Sequence, residues 1–184
     1  YTVTVTGANG CSATSSVTVT VDKTAPIANA GTNATTTCTT PSVTIGTASI
    51  VGNTYSWSPV SGLSAGNIAQ PTANPLSTTT YTVTVTGANG CSATSSVTVT
   101  VDKTAPIANA GTNATTTCTT PSVTIGTASI VGNTYSWSPV SGLSAGNIAQ
   151  PTANPLSTTT YTVTVTGANG CSATSSVTVT VDKT

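Results

Sequence analysis

The sequence predicts an all-β protein built from small tandem sandwich domains without helices. Residues 81–86 and 97–101 alternate Val or Tyr with Thr, and this period of two is typical of half-buried antiparallel strands. Between these runs lies Asn89-Gly90, the dipeptide that favours a type I′ hairpin turn. No apolar pattern follows the helical period, and Gly, Pro and β-branched residues are frequent, so no helix is expected.

The hairpin segment is part of an internal repeat. The 24-residue stretch that starts at Tyr1 recurs unchanged at Tyr81 and Tyr161, and residues 25–104 recur letter for letter as 105–184. So long a period suits a string of separate domains better than a solenoid. We therefore predict that residues 1–24 are the C-terminal hairpin of a preceding, truncated repeat, and that residues 25–104 and 105–184 are complete repeats. The chain is expected to be an excerpt of a longer secreted protein.

The body of each complete repeat supplies further short strands. In order, they are an edge strand over 27–31 that 35–39 could continue, a strand over 42–45, a strand over 54–58, and a short irregular strand within 68–76. Gly and Pro residues separate these segments and mark turns. With the hairpin, each repeat has about seven short antiparallel strands, which predicts a β-sandwich.

The aromatic residues are predicted to lie in the core of the sandwich. Tyr55 and Trp57 share one face of their strand because they are two positions apart. The predicted core aromatics are Tyr55, Trp57, Tyr81, Tyr135, Trp137 and Tyr161. An alternative interpretation makes Trp57 and Trp137 exposed platforms on which sugars stack.

The charged residues exclude several classes of function. The chain has three Lys, three Asp and no Arg, His or Glu, so its net charge is zero. It therefore lacks the basic face that nucleic acids or anionic membranes require, and it has no apolar run long enough to insert into a membrane. Without His, Glu or Arg, the usual general bases and triads cannot be assembled, so we expect no catalysis.

The charges of each repeat are concentrated at the predicted joint between domains. The residue before each Pro is restricted to an extended conformation, which suits a linker. The predicted joint residues are Asp22, Lys23, Pro26, Asp102, Lys103 and Pro106. Calcium at Asp102 is an alternative, but calcium usually requires several carboxylate oxygens. We therefore predict no metal site and no cofactor.

The cysteines predict structural disulfides and an oxidising exterior. Cys11, Cys38, Cys91, Cys118 and Cys171 are too widely spaced for a zinc site. Pairing within each complete repeat and pairing across hairpin boundaries (11–38 and 91–118) are both possible. Their loop-closure entropies differ by only about half a kcal/mol, so loop length cannot decide between them.

A group of motifs resembles a known family. The order of Tyr55–Pro59, Gly62-Leu63, Thr78–Tyr81 and Asn89–Cys91 resembles the PKD/Ig-like repeats of Bacteroidota surface adhesins and gliding-associated proteins exported by the type IX secretion system. The resemblance covers the whole repeat and implies tandem Ig-like sandwiches that form an extracellular stalk or adhesin segment. It also implies that Cys38 pairs with Cys91 and Cys118 with Cys171, which leaves Cys11 unpaired.

Two functional hypotheses follow. The first is a structural shaft of a long extracellular filament or bacterial surface adhesin, which provides length and stiffness and presents a distal tip that could contact cell-surface glycans. Because the surface carries almost no charge, copies of the chain are expected to pack side by side in a multi-chain fibre. The second hypothesis is a multivalent module in which every repeat adheres to polysaccharide or cell-surface glycans.

Overall fold

The computed structural model describes residues 1–182, which form β-strands joined by turns and loops. No helix occurs within this range, which confirms the all-β prediction. The strands, in chain order, are β1 (Thr2–Thr6), β2 (Ser12–Ser16), β3 (Ala34–Thr36), β4 (Val43–Thr44), β5 (Thr54–Ser58), β6 (Thr72–Ala73), β7 (Thr79–Thr86), β8 (Ser92–Val101), β9 (Ala114–Thr116), β10 (Val123–Thr124), β11 (Thr134–Ser138), β12 (Thr152–Ala153), β13 (Thr159–Thr166) and β14 (Ser172–Val181).

Each complete repeat is a two-layer sandwich. In the first, the large sheet has the order β3-β8-β7-β5 and the small sheet pairs β4 with β6. The second repeat has the same arrangement, with the large sheet β11-β13-β14-β9 and the small sheet β10-β12. Six strands are therefore present per repeat, and an isolated bridge between Leu63 and Ala73 extends the small sheet.

One strand pairing differs from the antiparallel arrangement predicted throughout. β3 runs parallel to β8, with Ala34 opposite Val99 and Thr36 opposite Val101. Residues 27–31, predicted as an edge strand, lie outside any strand. The backbone there bonds to other groups, because the Ala30 N–H donates to Ser95 Oγ at 3.1 Å and its carbonyl accepts from Gly46 N–H at 2.8 Å.

The hairpin turn also differs from the predicted type I′ turn, which needs a positive φ at both central residues. Gly90 has φ +79°, whereas no residue other than Gly has a positive φ in the described part of the chain. Gly90 N–H donates to the Gly87 carbonyl at 2.9 Å and Gly87 N–H to the Cys91 carbonyl at 2.9 Å. This pattern fits a turn over 87–90 that ends in a left-handed glycine, and Gly is the residue that adopts this conformation without steric cost.

Each sandwich has its own core. The large sheet contributes the inward faces of β5, β7 and β8, and the other layer contributes residues in and beside the small sheet. The buried residues of the first core are Ala30, Ile45, Trp57, Ala73, Tyr81, Val83, Val85, Val97 and Val99, and residues 110–179 repeat this set. Alternation along the hairpin therefore places one apolar face inside, as half-buried strands require.

The first hairpin has the same sequence but a different environment. Val3 and Val5 are 57% and 65% exposed, whereas the equivalent Val83 and Val85 are buried against the body. β2 ends at Ser16, while its equivalent β8 continues to Val101. The last residues of β8 pair with β3, and residues 17–21 have no such partner strand. Tertiary pairing, rather than local sequence, thus determines the length of this strand.

Candidate functional site: the junction between repeats

The direction of the strands decides which cysteines can meet. Cys38 follows β3, and β3 lies beside the C-terminal end of β8. Cys91 directly precedes Ser92, the first residue of that ten-residue strand. At about 3.3 Å per residue, the two cysteines lie at opposite ends of the sandwich, about 30 Å apart. A disulfide requires Cα atoms within about 7 Å, so the pairing of Cys38 with Cys91 is not possible.

The structure instead forms a disulfide between repeats. Cys38 of the first sandwich bonds to Cys171, in the hairpin turn of the second, with a Cα–Cα distance of 5.1 Å and a sequence separation of 133 residues. The predicted pairing of Cys118 with Cys171 and the alternative of Cys11 with Cys38 are therefore also wrong. Cys11 and Cys91 are not in disulfides. The alternation of strands predicted the faces of side chains, but only the parallel β3–β8 pair shows at which end Cys38 lies.

Hydrogen bonds surround this disulfide. The Cys38 N–H donates to the Asn169 carbonyl at 3.2 Å. The Asn169 side-chain amide donates to the Asp102 carboxylate at 2.8 Å and to the Thr104 carbonyl at 2.9 Å. One asparagine of the turn thus joins both the loop and the linker of the preceding repeat. A covalent bond and three hydrogen bonds between the same two surfaces restrict bending at the joint.

The same asparagine contact occurs at the preceding joint. The Asn89 amide donates to the Thr24 carbonyl at 3.0 Å, which is the bond that Asn169 makes to Thr104 one repeat later. The Asn side chain also accepts the N–H of the following cysteine in both turns, at 3.0 and 3.1 Å. Because the joint contact recurs with the period of the sequence, it is a property of the repeat itself.

The turn at residues 169–171, which contacts the Cys38 loop, is more buried than the identical turn at residues 89–91. Cys171 is only 3% exposed. Cys91, with the same neighbours in sequence, is half-buried, and Cys11 is exposed. Residues 169–170 are half-buried while 89–90 are exposed. The loop around Cys38 covers the turn at residues 169–170.

The other predicted joint residues lie close to this contact. Lys103 Nζ donates to Asn74 Oδ1 of its own repeat at 3.2 Å. Pro106 is half-buried and lines a pocket of about 310 Å³ with Asp102 and Asn169. Pro26 is half-buried, and Asp22 and Lys23 are exposed. No cluster of three potential metal ligands occurs among the described residues.

The Asp22 carboxylate is held by its neighbours. The Thr24 backbone N–H donates to it at 3.0 Å, and this bond, followed by the Thr24 hydroxyl and the Asn89 amide, lowers the pKa of Asp22 below its ordinary value of 3.8. A lowered pKa means that the charged form stabilises the joint above the ordinary value and that this contribution is lost as pH falls through the folded-state pKa. Acid is therefore expected to weaken the first joint.

Replacing Asn89 by Ala tests this contact. The pKa of Asp22, measured by NMR titration of its carboxyl carbon, should rise part of the way towards 3.8, because the Thr24 bonds remain. Asn9→Ala is the matched control, since Asn9 occupies the same position in the first hairpin and its side chain bonds only to Cys11 within its own turn. An equal rise in both variants would contradict the assignment of Asn89 to the joint.

Gly170, in the turn that contacts the Cys38 loop, provides a further prediction. A Cβ at Gly170 would overlap the Thr39 side chain of the preceding repeat, whereas a Cβ at Gly90 would meet open space. Both glycines have a positive φ, so alanine at either position costs about 1–2 kcal/mol of strain. Gly170→Ala is expected to destabilise the chain by about 1 kcal/mol more than Gly90→Ala in urea unfolding, because Thr39 must also move. Equal losses would show that the turn does not contact the loop.

The core aromatics are buried or half-buried, and their polar groups form hydrogen bonds within the protein. Trp57 is 2% exposed, and its indole N–H donates to the Ile68 carbonyl at 2.9 Å. Tyr81 is fully buried and its hydroxyl donates to the Ser61 carbonyl at 2.8 Å; burial raises the pKa of this phenol. Tyr55 is half-buried and packs against the same core. Trp57 and Trp137 are thus covered, and their rings are not platforms for sugars.

Comparisons with known proteins give only distant likenesses. No protein-family model matches the chain, and no curated protein sequence matches it. Three similar solved structures are Drosophila OTK extracellular domains 3–5 (13% identity, 83% of this chain and 60% of that chain, TM-score 0.46), mouse cadherin-23 EC22–24 (13%, 85% and 65%, 0.42) and the human desmocollin-1 ectodomain (12%, 93% and 39%, 0.38). This chain thus spans less than two thirds of each. With TM-scores below 0.5, the fold assignment rests on the strand pairing described above. The described part of the chain contains no helix long and apolar enough to cross a membrane.

Proposed function

We propose that this chain is a non-catalytic shaft segment of a long extracellular protein, in which a disulfide joins each repeat to the next. The observation that carries the proposal is the bond between Cys38 and Cys171, which links two sandwiches rather than closing one. A disulfide that stabilised a single domain would serve many functions. A disulfide between two domains fixes their relative orientation, which favours a function that requires a stiff chain.

Because the sequence repeats, the same bond is predicted at every junction of a longer array. Cys118 is the equivalent of Cys38, and Cys91 the equivalent of Cys171, one period away. In a longer array, the loop cysteine of each repeat would therefore bond to the turn cysteine of the following repeat. Each repeat would advance the shaft by about 35–45 Å, from a strand of about ten residues plus its turns.

The location that we propose is the surface of a bacterium. The disulfide supports an oxidising compartment outside the cytoplasm. The resemblance of the Tyr55–Pro59 and Thr78–Tyr81 motifs to Bacteroidota surface repeats supports a type IX-secreted adhesin or gliding-type protein. Under this proposal, a distal tip would make any specific contact with cell-surface glycans.

Side-by-side packing of copies is a second part of the proposal. The outward face of the large sheet is lined by hydroxyl groups that already bond to one another, as Thr80 does to Thr98 at 3.0 Å and Thr82 to Ser96 at 2.8 Å. Covering groups that are already paired costs less than covering groups that bond to water. With no net charge to repel copies, this face supports lateral assembly. Sedimentation velocity at increasing concentration should reveal oligomers, and a strictly monomeric chain would refute this part.

Small-angle X-ray scattering tests the shaft itself. The oxidised chain is expected to scatter as one extended body with a single relative orientation of the two sandwiches. After reduction, the scattering should require a broad set of orientations, because only hydrogen bonds and the linker then hold the joint. Identical profiles before and after reduction would contradict the proposal.

A further inference from the structure

Each complete repeat carries an open groove that neither cysteine of the junction disulfide lines. The first has a volume of about 470 Å³ and the second about 460 Å³, which lie within the range of ligand sites. Equivalent residues line both. In the first repeat these are Ser49, Asn53, Tyr55, Asn67, Ile68, Ala69 and Gln70.

The wall formed by residues 67–70 is fixed by the core beneath it. The Trp57 indole N–H donates to the Ile68 carbonyl at 2.9 Å. The Ile45 N–H donates to the carbonyl of Pro71, just beyond this wall, at 3.1 Å. A side chain at Gly46 would overlap the Ala69 carbonyl, so the wall lies directly against the core. The groove therefore has a defined shape, which lowers the entropy that a ligand must overcome.

The opposite wall is held by Tyr55. Its phenol oxygen accepts the Ile50 N–H at 2.8 Å. A phenol can donate one hydrogen bond as well as accept, so its proton remains available to a ligand. The half-buried ring of Tyr55 and the 42%-exposed side chain of Ile68 supply apolar surface beside this hydroxyl.

The remaining polar groups are neutral amides. Within the described residues, the side chains of Asn53, Asn67 and Gln70 make no hydrogen bond to the protein, although each amide can donate two and accept two. No Lys or Asp among the described residues lines the groove. A matching ligand would present many hydroxyl groups, carry no charge, and have an apolar face that can lie on an aromatic ring.

We propose that this groove binds a segment of an uncharged polysaccharide, with the sugar face against Tyr55 and Ile68 and the hydroxyl groups bonded to Asn53, Asn67 and Gln70. This activity is separate from the shaft function, because neither cysteine of the junction disulfide lines a groove; Asn133 alone lines both the second groove and the junction pocket. Two grooves on one chain would engage one polymer together, so the apparent affinity for a long polysaccharide should exceed that of a single groove.

The experiment measures binding of the full oxidised chain to immobilised neutral polysaccharides by biolayer interferometry. The probes are β-1,3-glucan, hydroxyethyl cellulose, xylan, dextran and galactomannan, with alginate as an acidic comparison. We expect the chain to bind at least one of the neutral polymers. We expect no charge-dependent binding to alginate. Failure of the wild-type chain to bind any of the neutral polymers would overturn the proposal and leave the shaft function untouched.

Variants assign the binding to the groove. Asn67→Ala with Gln70→Ala removes two amides from the first groove, and Asn147→Ala with Gln150→Ala does so in the second. Either pair should weaken binding about tenfold through lost multivalency, and all four together should abolish it. These side chains are exposed, so the melting temperature should not change. The control is Thr94→Ala with Thr174→Ala, on exposed positions of β8 and β14. Unchanged binding by the fourfold groove variant would overturn the assignment.

Discussion

Replacing Cys38 by Ser is expected to lower the free energy of unfolding by about 4 kcal/mol. The disulfide closes a loop of 133 residues in sequence, and chain entropy predicts a stabilisation of about 4–5 kcal/mol for loops of this order. Either sandwich can open only against this constraint, so both should become less stable when it is removed. Thermal unfolding followed by circular dichroism under non-reducing conditions measures the loss.

Cys91→Ser is the matched control for this variant. Cys91 has the same sequence neighbours as Cys171 but carries no disulfide in the structure, so its replacement should change the free energy of unfolding by less than about 0.5 kcal/mol. Cys171→Ser should reproduce the loss seen for Cys38→Ser. The account would be wrong if Cys91→Ser cost as much as Cys38→Ser, because that is the result expected for a disulfide within one repeat.

Replacing Trp57 by Ala is expected to destabilise the first sandwich by about 3–5 kcal/mol. The side chain is 2% exposed and fills the centre of the core, and truncation of so large a buried residue leaves a cavity. It also removes the bond to the Ile68 carbonyl, which lies 2.9 Å from the indole nitrogen. The unpaired carbonyl adds to the loss.

The identical second sandwich provides an internal control for Trp57→Ala. The chain has two Trp residues, so Trp137 becomes the only one left and reports on the second sandwich alone. Circular dichroism should then show two transitions, and fluorescence only the later one. Trp57→Phe should separate the transitions much less, because most of the core volume is kept. A single transition in the Ala variant would contradict the presence of two separate cores.

The sequence predicted those features that depend on local pattern. Alternation of Val and Thr predicted both strands of the hairpin and the buried face of Val83 and Val97, and both are found in the structure. Pairing of Tyr55 and Trp57 on one face correctly placed Trp57 in the core. These features follow from the period of two, which tertiary packing did not override here.

The features that the sequence did not predict depend on long-range pairing. Nothing in residues 34–36 indicates that they run parallel to Val99–Val101, and this pairing alone places Cys38 at the end of the sandwich that faces the next repeat. Loop-closure entropy could not choose between the pairings because it varies only slowly with loop length. The asparagine of the turn was recognised for its turn geometry, whereas its amide also holds the joint.

Digestion of the oxidised chain with trypsin, after alkylation of free thiols, tests the central claim most directly. Cleavage after Lys23, Lys103 and Lys183 gives the peptides 1–23, 24–103 and 104–183, which separate the repeats from one another. A disulfide between Cys38 and Cys171 predicts one covalent species that contains 24–103 and 104–183, with 1–23 free, and mass spectrometry should show that reduction divides it into those two peptides. If 24–103 and 104–183 instead appeared as separate peptides before reduction, each with an internal disulfide, the disulfide-joined shaft would be contradicted.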